Sequence, residues 1–183
     1  MRIKLSMGAV LIAVVSLFSS CNPSGGPATT GTPPTGPNAN TANTPKPGLT
    51  SASGPLPDKA FKASISVANP PTIMEAGEQM TIDVKVKNTG EVTWPALGAG
   101  GYKFQVKLGN HWLDSKEKPV IKDDGRGVLA QDVKPGEEVE IPFTFTAPKT
   151  AGDYILELDM VQEDVSWFAL KGSQPYRTKI KVE

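Results

Sequence analysis

From Phe61 to the end of the chain, apolar residues recur at every second position, and that period admits strands and excludes amphipathic helices. Phe61, Ala63, Ile65 and Val67 alternate with Lys62, Ser64 and Ser66 until Pro70-Pro71 stops the run. Met80, Ile82, Val84 and Val86 alternate with Thr81, Asp83, Lys85 and Lys87, ending at the turn Asn88-Thr89-Gly90. The same pattern returns at Tyr102, Phe104, Val106 and Leu108, at Val139, Ile141, Phe143 and Phe145, at Tyr154, Leu156, Leu158 and Met160, and at Tyr176, Thr178, Ile180 and Val182. Each run predicts a strand with one buried and one wet face. Further short strands are expected within 91–95 and 119–131. No stretch of this region carries a 3.6-residue stripe, so the expected fold class is all-β, an antiparallel β-sandwich over residues 59–183.

The residues before it follow other rules. Arg2 and Lys4 precede an apolar run from Met7 to Phe18, followed by the small residues Ser19 and Ser20 and by Cys21. Charge, then an apolar core, then small residues is the order of a secretory signal. The run of about a dozen residues is shorter than the roughly 20 that span a bilayer. Phe18-Ser19-Ser20-Cys21 resembles the lipobox of bacterial lipoproteins, with Phe18 where Leu is commoner. That resemblance implies a diacylglycerol thioether on Cys21 and a mature chain that begins there. The alternative is ordinary secretion with a free or removed thiol, for which no Ala-x-Ala-like site is seen. Two or more acyl chains hold a protein stably on a membrane, where one binds marginally.

Residues 21–58 join the leader (1–20) to the sandwich. They are built of Pro, Gly, Thr, Ser, Asn and Ala, with Leu49 and Leu56 the only large apolar side chains. Such a stretch cannot bury enough surface to offset its ordering entropy, so it is expected to be a disordered linker, with or without sugars on its Thr/Pro clusters. Asn22 is not the Asp that resembles an inner-membrane retention signal. In a two-membrane cell the expected location is the outer membrane, and otherwise the outer face of the cell membrane.

The chain carries 19 basic and 19 acidic residues, so no net field draws nucleic acid toward it. Cys21 is the only cysteine and His111 the only histidine. A disulfide or thiolate metal site within the folded part is therefore ruled out, and neither a metal nor a cofactor is expected. His111 has Asp114 nearby but no serine in a nucleophile motif, so it is read as a structural residue at a strand end beside Trp112. Glu157 and Asp159 share one face of their strand. They form either an acid/base pair or, as favoured here, a solvated face, with Glu163 and Asp164 close behind. Asp123-Asp124-Gly125 lacks the remaining oxygens of an EF-hand and reads as a hairpin turn. The glycines in 97–101 lack the following Lys-Ser/Thr of a phosphate loop.

Several motifs in order carry a second resemblance: 86–95 (VKNTGEVTWP), 109–114 (GNHWLD), 135–148, 151–168 and Gly172. Together they resemble an immunoglobulin-like module found in bacterial surface proteins and beside bacterial glycosyltransferases. They are also similar to the four-tryptophan domain of selective-autophagy receptors. Ala151-Gly152-Asp153-Tyr154 resembles the tyrosine corner of such folds. The resemblance implies an immunoglobulin-like sandwich serving as a binding or spacing unit and not as an enzyme. With only Trp94, Trp112 and Trp167 present, roles attached to a fourth tryptophan do not transfer. The recognition candidates are Trp94, Trp112, Trp167 and Phe168, either as an exposed shelf for an envelope protein or glycan or, as favoured for each ring, as core.

Overall fold

The computed structural model describes residues 49–183, so the leader, Cys21 and most of the linker lie outside the described residues. Ten strands follow in order: β1 (Ala63–Val67), β2 (Ile73–Met74), β3 (Gln79–Asn88), β4 (Val106–Asp114), β5 (Pro119–Ile121), β6 (Arg126–Val128), β7 (Glu138–Thr146), β8 (Gly152–Gln162), β9 (Ser166–Trp167) and β10 (Tyr176–Val182). Single 3-10 turns occupy Asp58–Ala60 and Ala169–Lys171.

The strands form two sheets. The smaller runs β1-β3-β7, and the larger runs β2-β10-β8-β4-β5, with β6 also paired to β4 and β9 to β8. Every pairing is antiparallel except β2 with β10. The first edge is divided between the sheets: β1 joins one, β2 the other, and Pro70-Pro71 lies between them. Prolines suit that crossover because they hold the chain extended and donate to neither ladder. Pro142 lies in β7, an edge strand, where the outer row of backbone donors has no partner strand.

The inward faces meet in one core. Val84 and Val86 of β3 and Ile141, Phe143 and Phe145 of β7 pack against Val106, Leu108 and Trp112 of β4, Leu156, Leu158 and Met160 of β8, and Ile180 and Val182 of β10. At one corner the Tyr154 hydroxyl donates to the Thr150 carbonyl at 3.0 Å, the expected tyrosine corner. At the Asn-x-Gly turn, the fully buried Asn88 amide donates to the carbonyls of Val92 (2.9 Å) and Val133 (2.8 Å) and accepts from the Gly90 N–H. Gly90 is needed for close approach: a Cβ there would lie 2.8 Å from the Lys59 carbonyl oxygen and 2.9 Å from that of Ala60.

Four local expectations change. The strand expected from Tyr102, β4, starts at Val106, because Phe104 takes φ 64° and 101–104 form a turn that leaves Tyr102 73% exposed. Alternation had drawn two loop aromatics into the strand. Residues 91–95 form no strand, only a bridge in which Trp94 and Val133 exchange bonds of 2.9 and 3.1 Å. His111 lies in the middle of β4 and not at a strand end. Lastly, residues 49–57, read as linker from composition, lie against the sandwich, with Ala52 buried and Ser51 bridged to Leu97.

Candidate functional site

Pairing register sorts the outer face of the larger sheet into rows. One row crosses Val128, Lys107, Val161 and Trp167; the next crosses Arg126, Gly109 and Asp159; a third crosses His111, Glu157 and Arg177. Trp167 starts in the first row, and its ring leans across Gly109 in the second to reach His111 in the third, with ring centroids 4.2 Å apart. Arg126 flanks the ring with its guanidinium carbon 5.0 Å from the ring centre, a cation–π contact.

Around that ring the charges are arranged in pairs. Arg126 Nε donates to Glu163 Oε1 at 2.9 Å, and the same oxygen lies 3.4 Å from Lys107 Nζ. Lys107 Nζ also sits 4.2 Å from the centre of the Tyr102 ring, and Arg126 pairs with Asp123. In the third row Arg177 Nε donates to Glu157 Oε2 at 2.6 Å and its Nη1 to Glu117 at 3.0 Å. His111 Nδ1 is 3.4 Å from Glu157 Oε1, close enough for attraction but long for a hydrogen bond, and it has no other partner. His111 and then Arg177, working against burial, hold the Glu157 carboxyl below its ordinary range.

Glu157 and Asp159 therefore do not lie on a solvated face. The segment after β8 folds back over Asp159, leaving it 1% exposed, while His111 and Arg177 flank Glu157. Asp159 Oδ2 accepts from the Ala169 N–H and its Oδ1 from the Met160 N–H, both at 2.8 Å. Burial pushes the carboxyl up to about 6, against those two donors. Among the described residues no hydrogen bond joins either carboxylate to the other or His111 Nδ1 to a hydroxyl. Asp123, Asp124 and Gly125 form no hairpin turn but a link between β5 and β6, which both pair with β4 and not with each other, and Asp124 Oδ2 accepts from the Thr146 N–H at 2.8 Å. Among the described residues no cluster of three His, Cys, Asp or Glu side chains is gathered to hold a metal.

The four aromatic candidates separate. Trp94 is fully buried and donates through Nε1 to the Ala60 carbonyl at 2.8 Å, and Trp112 is fully buried and donates to that of Thr146 at 2.9 Å. Phe168 is fully buried, edge-on to Phe61 (4.9 Å) and Trp94 (5.2 Å). Only Trp167 is partly exposed on an outer face. The alternation of Trp167 and Phe168 between surface and core is as an extended pair requires. Lys107, Arg126 and Arg177 were not singled out from sequence. The signal that marks the place is Gly109, a lone glycine within a strand, which indicates close approach of another group.

The sequence profile of the family described as "Ig-like domain from next to BRCA1 gene" matches residues 68–171, more than half of the chain. No curated protein matches the chain. Among solved structures it is similar to the CARDB domain of a Pyrococcus furiosus protein (16% identity, 66% of this chain and 92% of that one, TM-score 0.39). It is similar also to the sporulation control protein Spo0M of Bacillus subtilis (18% identity, 67% and 49% covered, TM-score 0.38). A third similarity is to a Listeria innocua beta-glucosidase (14% identity, TM-score 0.40), of which this chain covers 16%. With its two sheets, divided first edge and tyrosine corner, the chain belongs to the family of Ig-like domains described from next to the BRCA1 gene.

Proposed function

We propose that this protein is a lipid-anchored, non-catalytic binding or assembly module of the bacterial cell envelope, held to its membrane by acyl chains on Cys21. The reading of the module is supported by one observation above others: the outer face of the larger sheet carries a partly exposed Trp167 flanked by Arg126 and His111. Tryptophan and arginine together are the residues most often found at the energetic centre of protein interfaces. Because Arg126 already bonds Glu163 and Arg177 already bonds Glu157, binding there orders few further side chains, which limits its entropic cost. The anchor is supported by the order of Arg2, Lys4, the apolar run and Cys21.

Glycan binding is the second reading. Its support is the partial exposure of Trp167, while the burial of Trp94, Trp112 and Phe168 removes the broad shelf a sugar chain stacks on. The anchor is tested by labelling cells with palmitate and fractionating them. The wild-type chain is expected in the membrane fraction with label, and Cys21→Ser without label and in the soluble fraction. An unlabelled wild-type chain ends the anchor reading.

A further inference from the structure

We propose that Leu49–Pro57 is a strap that closes one pole of the sandwich and fixes the point at which the preceding chain leaves it. Composition assigns these residues to the linker, yet two buried side chains of the domain are satisfied chiefly by them. Asp132, 6% exposed, accepts from the Thr50 N–H at 2.7 Å and from the Thr50 hydroxyl with Oδ2, and from the Ala96 N–H at 2.8 Å with Oδ1. Gln162, with no exposed surface, accepts from the Leu56 N–H at 2.9 Å and donates to the carbonyls of Gly54 (3.2 Å) and Phe104 (3.0 Å). Between these clamps Ala52 donates to the Leu97 carbonyl at 2.9 Å.

Without the strap, Asp132 keeps only the Ala96 donor and Gln162 only the Phe104 acceptor. Releasing the strap gives up the Thr50 bonds to Asp132 and the Leu56 and Gly54 bonds to Gln162 together, so the domain favours the strap in place. This also explains how a segment of Pro, Ser, Gly and Ala is ordered: its partners lie in the domain, and its own apolar content is not what holds it. Both clamps are shared. Asp132 joins the strap to Ala96, and Gln162 joins it to Phe104, so release of the strap loosens the 96–104 loop with it. The exit point lies at the Val106 end of β4, roughly 26 Å from its Asp114 end at about 3.3 Å per residue. The outer face between those ends stays clear of the strap. The strap stands whether or not Cys21 carries lipid.

Amide hydrogen exchange on the Cys21→Ser full-length chain tests it. Thr50, Ala52 and Leu56 are expected to exchange at least about 100-fold slower than unstructured chain, as amides in a cooperative folded unit do. Thr50→Pro removes both Thr50 donors to Asp132, the backbone N–H and the hydroxyl, without altering a residue of the sandwich. It is expected to speed exchange at Ala52 and Ala96 at least tenfold and to leave β8 and β10 unchanged. Strap amides exchanging at the unstructured rate, or Ala96 unaffected by Thr50→Pro, overturns the proposal.

Discussion

Asp159 is the one carboxylate on the outer face that is almost wholly removed from water, and its two backbone donors do not fully offset that burial. Its folded value near 6 stands above the ordinary 3.8, so the native protein binds this proton more tightly than the unfolded chain does. The stability it contributes is therefore fully present below about pH 4 and declines as pH rises through 6. Asparagine mimics the protonated form. The stability of the wild type relative to Asp159→Asn should fall by about 2 kcal/mol between pH 4 and pH 7, in urea titrations at several pH values. Glu157 works in the opposite sense: held below its ordinary range, it contributes above that range, and its contribution is lost on acidification. A wild-type-minus-variant difference that does not change with pH would mean that Asp159 is not buried as described.

At the scale of the element, β9 and β4 are matched through one missing side chain. A Cβ on Gly109 would lie 2.6 Å from Cη2 and 2.9 Å from Cζ3 of Trp167, so the ring occupies the space an alanine methyl needs. Gly109→Ala should cost about 1–3 kcal/mol through overpacking, or displace the ring into solvent. A red-shifted tryptophan emission would reveal the displacement, and an unchanged spectrum with unchanged stability would contradict the contact. Most strands were legible in the sequence because one face is buried and one wet, which writes a period of two into β3, β7 and β10. The start of β4 was not, because Tyr102 and Phe104 keep the same period while lying in a turn. Nor was the covering of Asp159 legible. Alternation reports which residues share a face, and it cannot report that residues 163–169 fold back over that face. Trp167 and Phe168 could be separated by parity alone, but which of the two faced inward required the core partners Phe61 and Trp94.

At the scale of the whole molecule, the two outer faces differ in character. The outer face of the smaller sheet presents Ser64, Ser66, Lys85, Lys87, Glu138 and Glu140, all exposed to solvent. The outer face of the larger sheet presents one tryptophan within an already paired set of charges. The strap fixes where the preceding chain departs and leaves both faces open. Legibility at this scale was uneven. The sandwich and its family likeness were carried by strand period and by the Asn88, Trp94, Tyr154 and Trp167 motifs, whereas the strap was hidden because its partners, Asp132 and Gln162, are distant in sequence. The most direct test places a photo-reactive amino acid in the full-length chain in its own cells, either at Val128, exposed beside Lys107 on the larger sheet, or at Ser66 on the smaller. The account predicts a discrete cross-linked product from position 128, lost on Trp167→Ala, and none from position 66. The same product from both positions, or a product from position 66 alone, would contradict it.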